Sequence, residues 1–446
     1  MNRKQSLNFY IESLGCAKNS VDSRAMAALL LDAGYSEINN MEGADVIIVN
    51  TCGFIQPARQ ESLHVLNELA GEKKENQLLI AAGCLSQRDK QLLSDQVNGL
   101  DAVLGTRNWP DILQVIEKAK NKAAAPYYHF PPNGYEKWAE SKIPLAAVQG
   151  GSAYLKIADG CDRACAFCAI PHIKGKMISR KIENVIRDAQ MLQDMGVQEI
   201  IIIAQDTTSY GRDLGYRDGL AELLQQLVKR IPNVPWLRVM YAFPGEISDE
   251  LIATMANEPR ILPYMDLPLQ HAHPNILKCM MRPNNMKAVR ECIKKLRDLL
   301  PEISLRTTFI VGFPGEGEQE FQELGNFMRE IRFDRVGFFP YYHEEFTQAY
   351  HFKNLVPVDI VEERIEYLAS IQQEISLQKN RSFIGKKMDV LIEGSNRGVS
   401  VGRSYRDAPE IDGLVIVKDI LPVGKIVTFS ITDAYTYDLL AKSNSV

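Results

Sequence analysis

From Leu7 to about Ala123, short apolar runs alternate with stretches whose apolar residues recur at helical spacing. Asn8–Leu14, Ala44–Asn50, Gln77–Ala82 and Asp101–Leu104 predict strands. Ser20–Ala33, Pro57–Ala70, Gln87–Leu93 and Trp109–Lys120 predict the helices that follow them. Alternation of this kind builds a parallel sheet with helices on its faces. The periodicity fades across Ala124–Gly151, where Pro126, Pro131, Pro132 and Pro144 interrupt it, and this stretch reads as a linker.

A second series predicts strands at Ala153–Ile157, Glu199–Ala204, Trp236–Tyr241, Tyr264–Pro268, Leu305–Val311 and Arg335–Pro340. Helices are expected between them at Ile182–Met195, Leu220–Arg230, Asp249–Ala256, Lys287–Leu300 and Glu318–Ile331. Six strands with intervening helices suggest a partial (βα)6 barrel rather than a complete eight-stranded one. After a long helical stretch, Asp359–Lys379, the pattern changes to short β runs at Lys387–Glu393, Val399–Tyr405, Leu414–Lys418, Ile426–Thr432 and Tyr435–Leu440. Gly394, Gly398, Gly413 and Gly424 punctuate them, as in a small all-β barrel. The chain reads as an α/β multidomain protein with units at 7–123, 147–379 and 381–446.

Composition narrows the function. With 51 Lys and Arg against 56 Asp and Glu, the net charge of −5 excludes the bulk basic surface by which non-specific nucleic-acid binders displace counterions. Apolar runs such as Val46–Val49 and Ile200–Ala204 are strand-sized and far below a membrane span. The polar Met1–Ser6 has no export signal, so a cytoplasmic location is expected. Eight cysteines in such a chain point to reduced thiols for metal or redox work rather than to disulfides.

Cys161-Asp-Arg-Ala-Cys165-Ala-Phe-Cys168 is the strongest chemical signal, and it directly follows the first strand of the second series. Three thiolates on one loop can hold three corners of a cubane cluster and leave one iron open to chelate S-adenosylmethionine (SAM). The alternative is a structural zinc site, with His172, Cys279 or Cys292 as fourth ligand, although no second CxxC knuckle exists. A second set emerges from spacing. Cys16, Cys52 and Cys84 each follow a predicted strand of the first series, about one βα unit apart. In a parallel sheet such positions meet at the carboxyl edge, where open α/β folds bind ligands. Three cysteines there suit a further cluster, unless each is simply a separate buried cysteine. Cys279 and Cys292 read as helix-packing residues.

These segments resemble the methylthiotransferases over essentially the whole chain. Ser13-Leu-Gly-Cys16-Ala-Lys-Asn-Ser-Val-Asp-Ser23, Val49-Asn-Thr-Cys52-Gly-Phe-Ile55 and Ala82-Gly-Cys84-Leu85 are similar to the family's three amino-terminal cysteine motifs, and Tyr154-Leu-Lys-Ile-Ala-Asp-Gly-Cys161 to the approach to its radical SAM loop. Ala204–Gly211, Asp266–His271, Thr308–Glu316 and above all Gly402–Gly413 resemble the branch that modifies an aspartate of ribosomal protein S-twelve, rather than the branch that modifies adenosine in tRNA. The last unit agrees in charge. Residues 381–446 carry nine Lys and Arg against eight Asp and Glu, a net of +1, and Asp407, Glu410 and Asp412 make one loop acidic, which suits a basic ribosomal protein better than tRNA phosphates. The chain departs from the family pattern at Arg24, at Ala158-Asp159 and at His343-Glu-Glu345.

The resemblance implies an amino-terminal cluster domain, a radical SAM barrel and a carboxy-terminal TRAM barrel. It implies two 4Fe–4S clusters, a SAM-cleaving one on Cys161, Cys165 and Cys168 and an auxiliary one on Cys16, Cys52 and Cys84. SAM would serve as radical source and as methyl donor, and a methylthio group would be added to the β-carbon of the aspartate. The implied partners are ribosomal protein S-twelve, free or on the small ribosomal subunit, an electron donor such as a flavodoxin or ferredoxin, and a sulfur donor, with no membrane. Expected at the carboxyl ends of barrel strands, Gln205, Asp206, Gln270, Arg306 and Glu316 are the candidate SAM contacts.

Overall fold

A computed structural model of the chain describes residues 7–121, 126–131 and 138–442. Its first sheet is parallel and takes the order β2-β1-β3-β4-β5-β6, from strands β1 (Asn8–Ser13), β2 (Ser36–Glu37), β3 (Val46–Thr51), β4 (Leu78–Gly83), β5 (Ala102–Leu104) and β6 (Tyr127–His129). β3 and β4 are buried at every position, because helices cover both faces, which is why they read as unbroken apolar runs. Helix α1 (Ala17–Asp32) starts earlier than its periodicity suggested, immediately after Cys16. Helix α2 (Gln56–Glu72) follows β3, and α3 (Cys84–Arg88) begins on Cys84 itself. Ser13 pairs with Asn50 and Asn50 with Ala82, so β1, β3 and β4 end level with one another.

The second unit opens with β7 (Ala146–Gln149), antiparallel to β8 (Ser152–Lys156), followed by the short antiparallel pair β9 (Ala158–Asp159) and β10 (Ile178–Ser179). β8, β11 (Glu199–Ile203), β12 (Trp236–Val239), β13 (Tyr264–Asp266), β14 (Ser304–Val311) and β15 (Arg335–Pro340) are the six strands expected. They form two parallel ladders, joined by a bridge between Leu237 and Ile261, around a core of Leu, Ile, Val and Phe side chains. The stretch read as a linker differs from expectation, since it contributes β6 and β7; strands of three and four residues are too short to display a period. After the helix Val358–Arg381 come β16 (Lys387–Asn396), β17 (Val399–Arg403), β18 (Val415–Val417), β19 (Ile426–Ala434) and β20 (Leu439–Lys442), closed as β16-β17-β18-β20-β19.

The loop between β17 and β18 closes the lower mouth of the second unit, where the amino ends of its strands lie. Arg403 donates to Glu199 at 2.5 Å and to Ser152 at 2.9 Å, and Glu199 also accepts from Arg238 at 2.6 Å. Arg335 pairs with Asp407 at 2.6 Å, Tyr264 donates to Asp412 at 2.7 Å, and Ser304 donates to the Arg406 carbonyl. The acidic loop is therefore not a face for a basic partner. Asp407 is buried and paired with Arg335, the covered Asp412 side chain lies 3.3 Å from Arg306, and Glu410 accepts from Gln149. Sequence charge alone cannot distinguish a solvated acid from one with an internal cation.

Candidate active site

The sheet cysteines are drawn together by the level ends of β1, β3 and β4. Backbone packing between their loops leaves no room for larger residues. Gly15 has φ +89°, and a Cβ there would lie 2.9 Å from the Cys52 sulfur; a Cβ on Gly53 would lie 2.7 Å from the backbone of Leu85, next to Cys84. Asn19 ties the loops, donating to the carbonyls of Leu14 at 2.8 Å and Thr51 at 3.0 Å, while the Cys84 thiol points at its Oδ1 at 3.7 Å. Ser62 accepts from the Cys52 amide and donates to its carbonyl.

The loop cysteines are held differently. The Cys161 amide donates to Gly175, the Cys168 amide to Cys165, and the Arg163 amide to the Cys161 sulfur at 3.5 Å. Arg282 reaches the Cys165 sulfur at 3.7 Å, and the guanidinium groups of Arg163 and Arg282 both stand 4.0 Å from the Phe243 ring centroid. Cys84 packs against Ala169 and Ile173, just past Cys168, so the two sets of thiols are neighbours across the boundary between the first two units.

Two buried ionic clusters fix that boundary. Asp22 of α1 takes Lys156 and Lys174, and both lysines also reach Asp159 at 3.2 Å, two residues before Cys161. Lys156 and Lys174 hold Asp159 well below the usual carboxylate range, although burial works the other way. Glu344 accepts from the Gln56 amide at 2.6 Å, from Arg88 at 2.7 Å and from Arg59. Arg88 in turn donates to the carbonyls of Gly53 and Phe54 beside Cys52. The His343-Glu-Glu345 departure thus clamps the sheet cysteines to the second unit.

Burial pushes the thiols of Cys84 and Cys168 up to about 12 and that of Cys161 up to about 11, and raises Cys52 as well. Such thiols lose their protons at neutral pH only to a metal, and three per set, on glycine-lined loops, are the donors an iron–sulfur cluster takes. Among the described residues, none of the three candidates for the fourth ligand of a closed zinc site is placed as one. His172 stacks on Phe346 at 4.7 Å, Cys279 is exposed at the end of the helix Pro274–Cys279, and Cys292 packs on the core. Exposure of Cys279 departs from the helix-packing role expected of it. Among the described residues no three His, Cys, Asp or Glu side chains are set to hold a single metal ion.

The candidate SAM contacts occupy unlike positions. Gln205 follows β11 and donates to Asp159 at 2.5 Å, and among the described residues its buried Oε1 has no hydrogen-bond partner. Gln270 follows β13 with φ +76°, a strained backbone for a side chain of its size. Asp206 accepts from Arg163 at 2.8 Å, from Thr208 and from Ser209. Arg306 is the third residue of β14, nearer the amino end than expected, and binds Asp266 at 3.0 Å and Asp412 at 3.3 Å. Glu316 is buried on Arg364 at 2.8 Å and accepts from the Gly312 amide. Sequence reasoning missed Lys18, whose ammonium stands 3.3 Å from the Tyr241 ring centroid; its place two residues after Cys16 was the available signal.

Comparison with known proteins gives three family matches: "Uncharacterized protein family UPF0004" over residues 8–105, "Radical SAM superfamily" over 155–328 and "TRAM domain" over 384–443. The chain is 43% identical over 456 residues to "Ribosomal protein uS12 methylthiotransferase RimO" of Roseiflexus sp. (strain RS-1), covering 97% of this chain and 96% of that protein. It is 46% identical over 441 residues to the protein of the same name from Caldanaerobacter subterraneus subsp. tengcongensis, covering 98% and 99%. Among solved structures, the radical S-adenosylmethionine methyltransferase TsrM from Kitasatospora setae, with cobalamin and a [4Fe-4S] cluster bound, matches with a TM-score of 0.57 at 12% identity, over 89% of this chain and 81% of that one, a likeness of fold.

Proposed function

The chain belongs to the family of ribosomal protein uS12 methylthiotransferases named RimO, and from that premise we propose how its residues divide the work. It is a radical SAM methylthiotransferase that uses SAM and an iron–sulfur cluster, and its substrate is ribosomal protein uS12 rather than tRNA. Cys161, Cys165 and Cys168 hold the SAM-cleaving 4Fe–4S cluster, and Cys16, Cys52 and Cys84 hold a second, auxiliary one. When bound, these groups supply a radical from SAM and a sulfur for transfer. The acceptor is the β-carbon of an aspartate. A flavodoxin or ferredoxin supplies electrons, and a separate donor renews the sulfur.

One observation carries this reading: two sets of three thiols, each one short of a closed site, adjoin each other and are welded through Asp22, Lys156, Asp159 and Lys174. A fixed spacing matters, because methylthio sulfur and the carbon that has lost hydrogen must meet before either reacts elsewhere. Gln205, with a free buried acceptor, and Gln270, held in strain at the mouth, contact SAM. Asp206 acts by orienting Arg163, Arg306 by fixing Asp266, and Glu316 by anchoring the turn Gly312–Glu316. The units span residues 7–123, 147–379 and 381–446.

The deciding experiment is mass spectrometry of ribosomal protein uS12 and of tRNA nucleosides from cells with and without this gene. Loss of a methylthio group from one uS12 aspartate alone is expected. Loss from tRNA adenosine with uS12 unchanged would overturn the assignment.

A further inference from the structure

We propose that Lys18 is the residue that reads the carboxylate of the substrate aspartate, setting it beside the sheet cysteines. This rests on the uS12 aspartate reading above. Its physical basis is the distribution of cations around the two sets of thiols.

An aspartate that reacts at its β-carbon carries a carboxylate on the neighbouring atom, and that charge must enter a site screened from water. A buried carboxylate without a counter-ion is strongly disfavoured, so a cation must stand ready. Most cations here are already committed. Arg163 binds Asp206 at 2.8 Å and Glu246 at 2.7 Å. Arg306 binds Asp266 and Asp412, and Lys156 and Lys174 share Asp22 and Asp159. Arg282 donates to the Pro268 carbonyl and faces the Cys165 sulfur.

Lys18 differs. Among the described residues it makes no ion pair, and its ammonium lies on the face of Tyr241, 3.3 Å from the ring centroid. An aromatic face stabilises a cation without neutralising it, and so leaves its charge for an incoming anion.

The platform is built for the purpose. Tyr241 follows β12 with φ +62°, a left-handed backbone that a residue with a side chain adopts under constraint, and its amide donates to Asp266 at 3.1 Å. Asp266 is itself held by Arg306. Lys18 lies in the first turn of α1, two residues after Cys16, so the cation and one of the sheet thiols are carried by one rigid element. SAM has a carboxylate too, but the Cys161 loop that would bind SAM stands on a different segment from α1.

The test uses the full-length, iron-reconstituted enzyme with uS12 and with uS12 whose modified aspartate is replaced by asparagine. Methylthio product from the wild-type pair checks the underlying reading and nothing else. The wild-type enzyme should then bind the aspartate protein about tenfold or more tighter than the asparagine protein, measured by competition. This arm needs no enzyme variant, and equal binding overturns the proposal. Lys18→Met should lower kcat/KM about a hundredfold, mainly through KM for uS12, and shrink the aspartate preference to within about twofold, with Lys18→Arg recovering part of both. An intact preference in Lys18→Met, or a raised KM for SAM in its place, also overturns it.

Discussion

Cys161, Cys165 and Cys168 lie within one loop, and their spacing is a local property of the chain. Cys16, Cys52 and Cys84 come from three strand ends and meet because β1, β3 and β4 finish in register. The first set is organised by hydrogen bonds within its loop and to neighbouring segments of the same unit, the second by packing of Gly15 and Gly53 against neighbouring loops and by the Glu344 clamp from another unit. A loop site can survive distortion of the sheet, whereas a sheet site depends on everything that keeps the sheet in place. The difference assigns separate failure modes to two otherwise similar groups of thiols.

Replacing one cysteine from each set should separate them most strongly. Cys165→Ala should abolish both SAM cleavage and methylthio transfer, by a factor on the order of a thousand or more. Cys84→Ala should retain 5′-deoxyadenosine formation and lose the methylthio product, both followed by liquid chromatography with mass detection. Equal loss of both activities in the two variants would erase the distinction.

The weld between the sets comes next. Asp22→Ala leaves two buried lysines sharing Asp159, and removal of one partner from such a cluster costs about 3–5 kcal/mol. A lowered midpoint in thermal or denaturant unfolding checks it. Gly15→Ala is a smaller and more local change. Its Cβ would press on Cys52, so if the sheet cysteines hold the proposed second cluster, iron per chain should fall by about half while SAM cleavage persists. Iron assay beside the deoxyadenosine yield tests whether the loop set stands alone.

The smallest effect on activity lies far from both sets. Burial works against ionisation of Glu199, but Arg238 and Arg403 hold it down to about 2, below its ordinary 4.5. A depressed carboxylate stabilises the fold above its ordinary value, and the contribution fades as pH falls from about 4.5 through about 2. Glu199→Gln should therefore destabilise at pH 7 and approach the wild type near the acid end of that window, in melting curves recorded across pH. A pH-independent difference would count against the ion pairs as the cause.

Most of the architecture was legible because it rests on local periodicity. All six strands of the partial barrel and the closed β unit follow from apolar runs and turn glycines. The cysteines were legible for the same reason, either in one motif or at the ends of readable strands. What escaped depends on contacts distant in sequence. β6 and β7 exist because they pair with β5 and β8, not because their few residues prefer extension. Asp407 and Asp412 read as a surface for a basic protein, whereas Arg335 and Arg306 stand opposite them within the chain. Lys18 carried no signal beyond its nearness to Cys16, since its significance lies in Tyr241, on another unit.

The loop that seals the lower mouth also bears on how the protein is made. Arg403, Asp407 and Asp412 are synthesised long after the strands they join, yet Glu199 waits for Arg403, and Arg335 takes Asp407 and the Tyr437 carbonyl as partners. Units fold as they leave the ribosome, but the base of this one stays open to water, with Arg335 lacking its carboxylate, until the last segment arrives. A chain clipped after Arg381 thus leaves Arg335 without Asp407, and Glu199 with one arginine instead of two, at the floor of its catalytic unit.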